Sequence, residues 1–105
     1  MSSNLTSSDF SSFRTPRFHL VVRGRVQGVC YRAAAADKAA ALDITGWISN
    51  RTDGSVEIVA EGSADRLGEF YRWCRSGPPG AHVTEAHGST TEGRGEFESF
   101  SIRAY

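Results

Sequence analysis

The sequence predicts an α+β fold in which one antiparallel sheet carries two helices on one face. Three observations lead there. Apolar residues alternate with polar ones along several short segments, and they recur at helical spacing along two longer ones. The two kinds of segment follow each other as strand, helix, strand, strand, helix, strand. A chain of 105 residues is long enough for one core and too short for two.

Phe18, Leu20 and Val22 alternate with His19, Val21 and Arg23, so residues 17–23 read as the first strand. An alanine-rich helix over residues 33–42 follows, with Val29, Ala33, Ala36 and Ala40 as its apolar stripe. Such small side chains let a helix lie close to a sheet. The second strand runs over residues 44–50, and Asp53-Gly54 is a strong hairpin signal. Val56, Ile58 and Ala60 alternate along the returning strand. Ser63 is placed to cap the second helix, with Asp65 in its first turn. Leu67, Phe70, Tyr71 and Cys74 form that helix's apolar face, and Gly77-Pro78-Pro79 stops it. Two weaker strands lie near residues 81–90 and 97–104, the last with Phe100, Ile102 and Ala104 alternating. With right-handed crossovers, this order is the βαββαβ sandwich of ferredoxin-like domains, with room for a short fifth strand at the C-terminus.

Residues 1–16 hold six serines and two threonines and few aliphatic residues, which predicts a flexible N-terminal tail before a domain over residues 17–105. Twelve basic and twelve acidic residues give zero net charge, which argues against a nucleic-acid or anionic-membrane surface. No apolar run is long enough to span a bilayer, and no secretory pattern opens the chain, so the expected location is the cytoplasm. Two cysteines, Cys30 and Cys74, make no disulfide framework, and His19, His82 and His87 lack metal-ligand spacing. A monomer is expected.

The stretch from Gly24 to Arg32 carries the chemistry. A strand that turns through glycines into a helix N-terminus leaves backbone N–H groups unpaired, and the helix dipole adds positive potential there. Arg32 adds a permanent cation whose planar fork of donors suits phosphate. Together they predict an oxyanion cradle. Cys30 has no partner at catalytic spacing and reads as a small packed thiol, and Cys74 reads as core.

Three blocks together resemble the acylphosphatase family, over residues 17–105. They are Gly24-Arg25-Val26-Gln27-Gly28-Val29-Cys30-Tyr31-Arg32, then Gly46-Trp47-Ile48-Ser49-Asn50 with its continuation to Glu57, then Gly77-Pro78-Pro79-Gly80-Ala81-His82-Val83. The resemblance implies a ferredoxin-like enzyme that hydrolyses the mixed anhydride of a carboxylic acid and phosphate, with no metal and no cofactor. It carries the family's catalytic arginine onto Arg32 and its catalytic asparagine onto Asn50. It makes Val26, Gln27, Gly28, Val29, Cys30 and Tyr31 the phosphate-binding loop. Asn50 would then orient the attacking water, and free phosphate or sulfate would compete with the acyl phosphate. Ferredoxin-like domains also include RNA-binding sheets, but no aromatic strand motif or basic face supports that role here.

Overall fold

The computed structural model describes Leu5 and residues 7–104. In chain order the elements are α1 (Ser7–Ser11), β1 (Pro16–Arg25), α2 (Tyr31–Ala41), β2 (Thr45–Asn50), β3 (Val56–Glu61), α3 (Ala64–Ser76), β4 (His82–Glu92) and β5 (Phe100–Arg103). The strands form a single sheet in the order β4-β1-β3-β2-β5. Alternation decides which face is dry. Phe18, Leu20 and Val22 of β1, Ile48 of β2, and Val56, Ile58 and Ala60 of β3 are buried in one cluster with Leu67, Phe70, Tyr71 and Cys74 of α3. The opposite face carries polar pairs, including His19 Nε2 at 2.6 Å from Glu57 Oε2. The ferredoxin-like α+β architecture is thus the one read from the sequence, with the fifth strand present.

Four details differ from the sequence reading. The sheet is mixed, because β5 runs parallel to β2 (Gly46↔Phe100 to Ser49↔Arg103) while the other neighbours are antiparallel. The reason lies in residues 93–99, which cross the end of the sheet from one edge to the other. Along the way Gly93 N donates to Thr15 O at 2.7 Å, Arg94 N and Gly95 N donate to the Glu61 carboxylate at 3.1 Å, and Gly46 N donates to Ser99 O at 3.1 Å. The chain therefore enters β5 at the end where β2 starts. Glu61 is only 2% exposed. Those two amide donors, with Arg17 Nη1 at 3.7 Å, compensate the buried carboxylate.

The register of α2 is the second difference. Its buried face is Tyr31, Ala35 and Ala39, whereas Ala33 and Ala40 face solvent. In a run of alanines no residue contrasts with its neighbours, so the apolar stripe has no readable phase. Thirdly, Ser63 occupies the N-cap of α3 without a side-chain capping bond.

The lead-in is the fourth. Residues 1–4 and 6 lie outside the described residues, but within the lead-in Phe10 is buried against the body. Phe10 is 1% exposed, its ring centroid 6.2 Å from that of Phe18 and 5.7 Å from that of Tyr71. One aromatic side chain in the gap between α3 and β1 outweighs a serine-rich composition. A helix as short as α1 has no stability of its own, so the Phe10 contact holds it.

The β2–β3 turn is held by Asp53. Ser55 Oγ and N donate to Asp53 Oδ1 at 2.5 and 3.0 Å, and Arg23 Nη1 donates to Oδ2 at 3.1 Å. The Ser55 bonds, with help from Arg23, pull its carboxyl down from 3.8 to about 2.

Two predictions follow from this packing. Phe10→Ala removes a buried ring and is expected to cost about 3 kcal/mol, lowering Tm by roughly 10–20 °C in thermal unfolding; an unchanged Tm would mean the lead-in is dispensable. Because Asp53 is more acidic folded than unfolded, its contribution is complete above about pH 3.8 and is lost as pH falls towards about 2. The Tm advantage of wild type over Asp53→Asn should shrink across that window, and parallel Tm–pH curves would contradict it.

Candidate active site

The site forms at the end of the sheet where β1 and β2 finish. The β1–β4 register shifts between Arg23 and Gly24, and this bulge brings Gly24 (φ +121°) so close to β4 that a Cβ there would lie 2.1 Å from the His82 carbonyl oxygen. Only glycine fits. The chain then leaves the sheet through Gly28 (φ +76°) and Cys30 (φ +61°), both left-handed, with Val29 between them of ordinary φ. Alternating backbone handedness of this kind turns successive N–H groups towards one side and makes an anion-binding concavity. Among the described residues, the N–H groups of residues 28–33 have no acceptor; the first satisfied donor is Ala34 N, bonded to Cys30 O at 3.0 Å. The dipole of α2 points its positive end at the same place.

Side chains pin this loop. Gln27 Nε2 donates to Arg51 O at 2.8 Å and to Ser55 O at 2.9 Å, fastening the loop to the β2–β3 hairpin. The Tyr31 hydroxyl donates to the Cys74 carbonyl, fastening the first turn of α2 to α3, and the Tyr31 ring lies 5.6 Å from that of Trp73. Burial pushes the Tyr31 phenol well above its ordinary range and does the same to the Cys74 thiol, so both stay neutral.

A pocket of about 210 Å³ opens beside the loop. Val26, Gly28, Cys30, Tyr31, Arg32 and Ala33 line one side, and Asn50 and Ile102 the other. Arg17, Arg23, Arg51 and Arg66 each have a carboxylate partner. Arg32, half-buried at the second position of α2, has no hydrogen bond or ion pair with any described residue. Asn50, the last residue of β2, has its Oδ1 buried and without a hydrogen-bond partner among the described residues. A buried, unpaired amide oxygen is costly unless something else meets it. The arrangement is thus a set of donors able to hold a tetrahedral oxyanion, with Asn50 lining the same pocket.

Of the residues singled out in the sequence, Val26, Gly28, Cys30, Tyr31, Arg32 and Asn50 meet at this pocket. Gln27 and Val29 do not line it: the Gln27 amide is used on the hairpin, and Val29 packs against the core. Cys30 is exposed, not the packed thiol expected. The sequence places Ala33 on the apolar stripe of a helix and Ile102 in the alternation of the last strand, and gives neither a role at the site; neither is buried, and both line the pocket. Among the described residues no group of three His, Cys, Asp or Glu side chains is placed to hold a metal ion, and no helix is long and apolar enough to cross a membrane.

Comparison with known proteins points to one family. A model of the acylphosphatase family matches residues 18–102. An acylphosphatase of Methylococcus capsulatus is 50% identical over 86 residues, covering 82% of this chain and 94% of the relative. One of Pelotomaculum thermopropionicum is 48% identical with the same coverage of both chains. Among solved structures, the acylphosphatase of Bacillus subtilis superposes with a TM-score of 0.80 at 34% identity, covering 84% of this chain and 98% of that one. With a family model matching residues 18–102 and relatives near 50% identity over most of its length, the chain belongs to the acylphosphatase family.

Proposed function

We propose that this enzyme hydrolyses acyl phosphates by gripping the phosphoryl group in the 28–33 loop and delivering water from Asn50. The observation that carries the proposal is the single pocket that brings Asn50 together with the uncommitted Arg32 guanidinium. The N–H groups of the loop residues that line the pocket, with the Arg32 guanidinium, bind the phosphoryl oxygens, and their alignment matters more as charge shifts in the transition state. The Asn50 side-chain amide holds the water with its oxygen towards phosphorus. A new P–O bond forms from that water as the bond to the acyl oxygen breaks. The carboxylate leaves with the bonding electrons, and the water's protons end on phosphate and solvent. A carboxylate departs readily, so the residues of the pocket need supply no strong acid and no metal. Tyr31, neutral and committed to Cys74, serves through its backbone. Inorganic phosphate and sulfate present the same tetrahedral oxygens and are expected to compete. The chain acts as a monomer in this reading.

The test is benzoyl phosphate hydrolysis with a chelator present. Arg32→Gln and Asn50→Ala should each lose on the order of 10²–10³ in kcat while remaining folded by circular dichroism. Arg32→Lys should fail nearly as badly, since a point charge does not replace a bidentate fork. Near-wild-type turnover in any of the three would remove that residue from the mechanism.

A further inference from the structure

We infer that Ile102, together with Ala33, forms the surface on which the acyl group of the substrate rests, making the enzyme selective for apolar acyl phosphates. The inference builds on the reaction proposed above and adds a specificity residue to it.

Ile102 is 47% exposed, and among the described residues it is the large hydrophobic side chain that stands in solvent. Its place in the sheet explains why. It pairs with Ile48, which is fully buried, and therefore projects on the helix-covered face, the face that also carries Asn50 two residues beyond Ile48. Phe100, two residues before Ile102, is covered, its ring centroid 5.5 Å from that of Phe70. α2 begins only at Tyr31, so at Ile102 the cover has run out and the pocket takes its place. A scattered exposed isoleucine needs no explanation; this one forms a wall of the pocket that holds Arg32 and Asn50.

The chemistry of the substrate then assigns the wall. The phosphoryl oxygens face the donors of the loop and Arg32, and the water lies against Asn50. The remaining substituent, on the carbonyl carbon, projects away from the donors. Beyond Arg32 and Asn50, the pocket side chains next to it are apolar, chiefly those of Ala33 and Ile102, and no pocket residue is acidic. A ring or alkyl chain laid on Ile102 removes apolar surface of both partners from water, whereas an acetyl group is too short to cover it.

The experiment compares kcat/KM for benzoyl phosphate and acetyl phosphate in wild type, Ile102→Ser and Ile102→Leu, with inhibition by inorganic phosphate measured alongside. The benzoyl-to-acetyl ratio should fall about five- to tenfold in Ile102→Ser and be retained in Ile102→Leu. The phosphate inhibition constant should stay at its wild-type value in both. An unchanged ratio in Ile102→Ser would overturn the inference, and so would an equal loss on both substrates, which would mark Ile102 as a support for the catalytic groups. A wild type inert towards both substrates would instead overturn the proposed reaction itself.

Discussion

A loop that keeps its N–H groups for an anion cannot use them to hold itself in place. That constraint governs the working end of this molecule. Residues 28–33 have no acceptor among the described residues, so the backbone bonds that usually rigidify a turn are missing where accuracy matters most. The order comes from outside the loop. Gln27 reaches the hairpin carbonyls on one side, Tyr31 reaches the Cys74 carbonyl on the other, and Gly24 lets β1 run against β4 at van der Waals limits. Because Gln27 grips Arg51 O, the residue after Asn50, one side chain ties the anion cradle to the strand end that carries Asn50. The two halves of the site therefore share a mechanical link, and preorganisation of this kind is what electrostatic catalysis requires.

The opposite end of the sheet solves a different problem. Residues 93–99 must cross from the β4 edge to the β5 edge, and a crossing chain exposes backbone donors to a partly apolar surface. Glu61 meets two of them with a buried carboxylate, and Arg17 balances its charge while its guanidinium lies 5.3 Å above the Phe97 ring. This polar crossing is what allows β5 to lie parallel to β2, and so puts Ile102 beside the pocket.

What was legible in the sequence follows from contrast. β1, the Asp53-Gly54 hairpin and the face of α3 were readable because apolar residues there alternate with polar ones or stand beside distinctive turn residues. α2 was readable as a helix but not in phase, since Ala33, Ala35 and Ala39 look alike. Phe10 was hidden by its serine-rich surroundings, and the parallel pairing of β5 by the fact that element order does not specify neighbours. At the site, Arg32 and Asn50 stood out within their motifs. The role of Gln27 did not, because its acceptors are backbone carbonyls, which leave no trace in residue type. Ile102 was illegible for a related reason: alternation shows which face a strand residue takes, not where the covering helix stops.

The sheet order β4-β1-β3-β2-β5 has a kinetic consequence. The first strand lies between two partners made much later, with Val22 opposite both Val56 and Ala86. Few of its contacts are local, so loop-closure entropy must be overcome before the central pairing is rewarded, and folding is slower than for a helical bundle of the same length. Along the chain the anion loop precedes its anchors: the hairpin anchor is complete only after Ser55 and the α3 anchor only after Cys74. The pocket wall at Ile102 follows both anchors along the chain, so the site is complete only once β5 has paired with β2.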